Sequence, residues 1–74
     1  MSPQAVEEML KTVFPEGRIE VRDMTGTGDH FDICVASKKF EGKTLVEQHR
    51  MVHQALEKEM DHGIHAVQIT TKKE

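Results

Sequence analysis

The chain has 74 residues, 36% of them hydrophobic, with three Phe and neither Trp nor Tyr; that length suits one domain with a small aliphatic core and excludes an aromatic platform for stacking on bases or sugars. Ten Lys and Arg against thirteen Asp and Glu leave a net charge of −3, without the basic surplus of a dedicated nucleic-acid binder, although a local basic patch stays open. The lone Cys34 excludes an intramolecular disulfide, and no apolar run approaches the ~20 residues of a membrane span.

The opening MSPQAVEEML lacks the basic start and apolar centre of a signal peptide. A reducing compartment follows as the expectation, the cytoplasm in the simplest case and an organelle matrix for a chain that has lost a targeting segment. No membrane partner is expected.

Ser2 followed by Pro3 reads as a helix start, because the serine hydroxyl can cap free amides and proline tolerates the first helical position. Ala5, Val6, Met9, Leu10, Val13 and Phe14 then recur at helical spacing, which predicts an amphipathic helix over residues 3–14, stopped by Pro15 and Gly17. From Arg18 to Asp23 the apolar Ile19 and Val21 alternate with charge, the period of a strand with one buried face.

The stretch HFDICVAS predicts a second strand, with Phe31, Ile33 and Val35 on one side and Asp32, Cys34 and Ala36 on the other. Between the strands lies MTGTGD, a glycine-rich connector too long for a two-residue hairpin turn. SKKFEGK reads as a loop, after which Thr44 and Glu47 have the spacing of a capping box. In the helix that follows, Leu45, Val52, Leu56 and Met60 form one stripe, His49 falls inside it and His53 at its edge; Asp61, His62 and Gly63 supply a stop.

Ile64 to Thr71 predicts a third strand, with His65, Val67 and Ile69 pointing one way and Ile64, Ala66, Gln68 and Thr70 the other. The order α-β-β-α-β is most simply buried as an α+β domain, two helices packed on one face of a three-stranded sheet.

Few of the chemistry-bearing residues form a complete motif. Cys34 has no CxxC partner and reads as a packing residue. His49 and His53 have the spacing of two metal ligands on a helix, but HRMVH lacks the glutamate of HExxH, and two ligands do not complete a tetrahedral site. TGTGDHF leads into a strand, whereas a phosphate loop leads into a helix. No nucleophile motif supports catalysis. His65 differs in standing at the mouth of a strand, where a rigidly held imidazole could serve as a borderline ligand for iron or zinc.

The run HFDICVASKKFEGKTLVEQHRMVHQALEKEM, followed by IHAVQI, resembles the BolA-like family, from about residue 5 to residue 70. Its most specific pieces are FEGK leading into QHRMVHQAL, and the IHA that opens the last strand. The resemblance implies a class II KH-like fold and a partner, a monothiol CGFS glutaredoxin, with which such proteins form heterodimers in apo form or bridged by a [2Fe-2S] cluster. In the bridged form the glutaredoxin cysteine and glutathione hold one side; the BolA-like chain supplies a histidine, which maps to His65, and a second ligand from the loop between the first two strands. Imidazole in place of thiolate raises the potential of such a cluster and makes ligation pH-sensitive.

The loop departs from the family pattern. Thr27 stands where a cysteine is expected, so His30 becomes the nearest candidate for the second metal ligand, with Cys34 behind it.

The leading expectation is a non-enzymatic adaptor for iron-sulfur trafficking or iron-status regulation. The loop and the helix bearing His49 and His53 are expected to form part of the glutaredoxin contact. The runner-up is a DNA-binding transcriptional regulator with a basic stripe of Lys38, Lys39, Lys43, Arg50 and Lys58; against it stand the net negative charge and FEGK, which has one glycine of the KH clamp's two. Alone, the chain is expected as a monomer, with weak homodimerisation as the alternative.

Overall fold

The structure, a computed structural model, describes residues 2–26, 28, 30–59, 64 and 66–73. The expected helix stop (Asp61, His62, Gly63), the stripe residue Met60, and the expected ligand positions Thr27 and His65 lie outside the described residues.

Helix α1 spans Pro3–Val13, and its start is built as the sequence suggests: Ser2 Oγ accepts the backbone N–H of Ala5 at 3.1 Å, with Pro3 opening the first turn. Val6, Leu10 and Phe14, each four residues apart, are fully buried. The turn after α1 brings the chain against β2 so closely that a Cβ on Gly17 would stand 2.8 Å from the carbonyl oxygen of Ala36. Only glycine fits that crossing without displacing backbone.

Strands β1 (Arg18–Asp23) and β2 (His30–Ser37) have the expected bounds and pair antiparallel, from Arg18 opposite Ala36 to Asp23 opposite Phe31. The segment expected as a plain loop contains a 3-10 turn, Lys38–Phe40, and buries the Phe40 ring completely against Phe14, centroids 5.2 Å apart. Helix α2 spans Leu45–Leu56, and its capping box is present in both directions: Thr44 Oγ1 accepts the Glu47 N–H at 3.1 Å, and Glu47 accepts the Thr44 N–H at 2.9 Å. A second 3-10 turn, Glu57–Glu59, follows.

Two expectations for α2 need correction. Its buried stripe is Gln48, Val52 and Leu56, whereas Leu45 is 62% exposed. Periodicity gives the direction a side chain faces, not whether a layer lies beneath it, and the first turn of α2 has none. His49 is half-buried beside the stripe rather than inside it.

Strand β3 is Ala66–Lys73, two residues later at each end than expected. Ile64 does not share the open face with Ala66; it precedes the strand, donates its N–H to the Glu59 carbonyl at 3.0 Å and is 1% exposed in the core. Alternation counted back past the strand's first residue assigns the wrong side.

The sheet order is β1-β2-β3, with β3 parallel to β2 from His30 opposite Ala66 to Ser37 opposite Lys73. A parallel pair needs a crossover, and α2 provides it. Both helices pack on the face bearing Ile19, Phe31, Ile33 and Val35. The other face carries half-buried His30, Asp32, Cys34 and Ala36, flanked by the exposed Glu20 and Arg22 of β1 and Ala66, Gln68 and Thr70 of β3. No helix among the described residues is long and apolar enough to cross a membrane.

Candidate ligand and partner site

His30 is the first residue of β2, and its position is fixed by backbone on both sides. Its carbonyl accepts the Met24 N–H at 2.8 Å, and it stands opposite Ala66, the first residue of β3, in the parallel pair. The end of β1 and the beginnings of β2 and β3 therefore meet at one end of the sheet. His65 is outside the described residues; Ala66, its chain neighbour, is the residue opposite His30.

The described part of the β1–β2 connector is organised by Asp23. One carboxylate oxygen accepts the N–H groups of Thr25 at 3.3 Å and Gly26 at 2.9 Å, and the other accepts that of Gly28 at 2.8 Å. Gly26 and Gly28 both have φ of +76°, a left-handed conformation that L side chains rarely adopt. Sequence reasoning missed this role. Its signal was an aspartate followed closely by glycines, the composition of a turn closed by its own side chain.

The α2 histidines are elsewhere. Half-buried His49 and exposed His53 line a shallow concavity with Val46 and Arg50. Gln48, which the apolar spacing of α2 does not mark, is 6% exposed; it donates to the Lys43 carbonyl at 2.9 Å and accepts the Thr71 hydroxyl of β3. That bond sets the head of α2 beside Thr71, five positions and roughly 16 Å of strand beyond Ala66. The structure thus does not bring His49 to His30. Among the described residues, no three or more His, Cys, Asp or Glu side chains gather to hold a metal ion.

Of the expected basic residues, Lys38 and Lys39 lie near Glu16, Lys43 and Arg50 near Glu47, and Lys58 beside Glu57. Lys39 Nζ donates to the Val13 carbonyl and lies 5.9 Å from the Phe14 ring centre. Glu16, beside it, accepts the buried Ser37 hydroxyl; that bond above all, with the charges of Lys39 and Lys38, holds the Glu16 pKa below its ordinary value. Lys43 and Arg50 line a second concavity together with Glu47, Met51 and Gln54. Each of these pairs of cations thus has one carboxylate beside it.

Cys34 stands half-buried on the open sheet face between Glu20 and Thr70, in a shallow depression with Arg22 and Asp32. The Arg22–Asp32 ion pair across it is long, 3.5 Å, and solvent-exposed on the Arg22 side; such a pair contributes little.

Two helices over one face of a three-stranded mixed sheet, with the sheet's other face open, define an α+β domain of the kind found in BolA structures. A family model described as BolA-like protein matches residues 11–74, and the chain belongs to that family. It is 43% identical over 70 residues to Protein BOLA2 of Arabidopsis thaliana, spanning 93% of this chain and 74% of that one. The BolA domain of SufE1 from the same plant superimposes with a TM-score of 0.87 at 29% identity, covering 96% of this chain and 89% of that one. BolA1 from Arabidopsis thaliana gives 0.86 at 32% identity, covering 96% and 89%.

Proposed function

We propose that this BolA-like chain is a non-enzymatic adaptor that pairs with a monothiol CGFS glutaredoxin and handles a [2Fe-2S] cluster as cargo, with His65 and His30 as its ligands and the glutaredoxin cysteine and glutathione as the others. The observation that supports this reading most is the register that sets His30 opposite Ala66, so that one candidate imidazole and the chain neighbour of the other share one end of the sheet. A neutral imidazole is a borderline donor suited to iron, and a partner that completes the ligand set needs only one or two rigidly placed donors from this chain. Bridging would then use the lone pair of an imidazole nitrogen.

The test is reconstitution of the chain with a CGFS glutaredoxin, iron, sulfide and glutathione, read by visible absorption and circular dichroism for wild type, His30→Ala and His65→Ala. A heterodimer spectrum that is lost in both variants, with far-ultraviolet circular dichroism of the free domains unchanged, is expected. A wild-type spectrum in His30→Ala would remove His30 from the ligand set. Heterodimer without any cluster spectrum would make the working complex an apo regulator, and absence of a heterodimer would end the adaptor reading.

A further inference from the structure

Three described amide groups of the β1–β2 connector converge on a carboxylate that belongs to the strand before it. In such a concavity, successive N–H dipoles point at one centre and attract an anion. Here the anion is the chain's own Asp23, receiving Thr25, Gly26 and Gly28 at 3.3, 2.9 and 2.8 Å. The left-handed backbone at Gly26 has no atom of a described, non-adjacent residue within 4 Å of a built Cβ. The pair of Asp23 oxygens accepts all three of these amides, beside the Met24–His30 bond that closes the hairpin.

We propose that Asp23 is the positioning residue of the candidate site: its carboxylate fixes the connector that leads into His30 before a partner arrives. This inference rests on the adaptor reading and adds to it how the loop becomes competent. A connector ordered in advance spares the complex the cost of ordering it on docking, and holds a ligand's surroundings rigid. The two oxygens also divide the work. Oδ1 serves Thr25 and Gly26 and Oδ2 serves Gly28, so Asp23→Asn keeps one acceptor and turns the other into a donor, whereas Asp23→Ala removes both.

The experiment compares wild type, Asp23→Asn and Asp23→Ala in two readouts: amide hydrogen exchange of Gly26 and Gly28 in the free chain, and the visible circular-dichroism spectrum and yield of the cluster-bridged heterodimer with a CGFS glutaredoxin. Asp23→Ala should speed exchange at both glycines by about tenfold, the scale of one net hydrogen bond. It should also lower the yield severalfold and alter the shape of the visible spectrum. Asp23→Asn should fall between, with Gly28 more affected than Gly26. A purely structural loss would lower thermal stability without changing the spectrum's shape. Unchanged exchange in Asp23→Ala would overturn the inference, as would faster exchange with a wild-type yield and spectrum. If wild type itself forms no heterodimer, the adaptor reading falls and this inference with it; if wild type forms one and Asp23→Ala matches it, only the inference falls.

Discussion

The Thr71 hydroxyl of β3 donates to the Gln48 side chain of α2, and the same amide donates to the Lys43 carbonyl just ahead of the helix. One buried glutamine thereby ties the crossover helix to the edge strand and to its own approach. Replacing it with alanine removes both bonds and opens space in the core. Gln48→Ala should cost about 1–3 kcal/mol in urea or thermal unfolding, the price of losing a satisfied buried polar group. A loss below about 0.5 kcal/mol would mean that the bond network contributes nothing net.

Leu45 and Leu56 are the same residue type on the same helix, 62% and 0% exposed. Leu56→Ala should destabilise the domain by about 2–5 kcal/mol, enough to unfold much of so small a protein, whereas Leu45→Ala should stay within about 0.5 kcal/mol of wild type. Denaturation midpoints of the two variants side by side decide it. Equal losses would return Leu45 to the buried stripe.

The Glu47 carboxylate is held below its ordinary pKa of 4.5 by the hydrogen bond from the Thr44 backbone first, that from the Thr44 side chain next, with Lys43 and Arg50 nearby. A carboxyl whose folded pKa lies below its unfolded one contributes stability that is fully present above the unfolded value and is lost as pH falls through the folded one. Stability of the wild type should therefore decline as pH drops below about 4.5. Glu47→Gln keeps an oxygen for the Thr44 N–H but cannot titrate, so its decline over that window should be shallower, with the slope from Glu16 remaining. Thr44→Ala, which removes the cap itself, should cost about 1 kcal/mol at neutral pH. Parallel acid-unfolding curves for wild type and Glu47→Gln would contradict the role given to the carboxylate.

Local signals were the legible part of the fold. The Ser2–Pro3 start, the Val6–Leu10–Phe14 stripe, the alternation in β1 and β2 and the Thr44–Glu47 box all depend on residues within one or two turns of one another, and all are found where the spacing puts them. What escaped depends on distant chain. Phe40 reads as a loop residue until the Phe14 ring is seen beneath it, and the apolar stripe of α2 does not include Gln48, whose partner Thr71 arrives from β3. The parallel register that sets His30 opposite Ala66 has no signature in alternation, which is identical for parallel and antiparallel neighbours. For the site, His30 stands out as a residue, whereas Asp23 is marked only by the glycines that follow it, because its partners are backbone amides.

In the proposed complex, imidazole nitrogen from this chain ligates iron in the shared cluster. The most direct measurement is pulsed electron paramagnetic resonance of the reduced, cluster-bridged heterodimer prepared with this chain labelled with nitrogen-15 histidine and the glutaredoxin left unlabelled. Strong nitrogen-15 hyperfine coupling, weakened or lost in His65→Ala and altered in His30→Ala, is the expected result. A cluster spectrum with no such coupling would mean that sulfur or oxygen ligands hold the iron, and would contradict the claim.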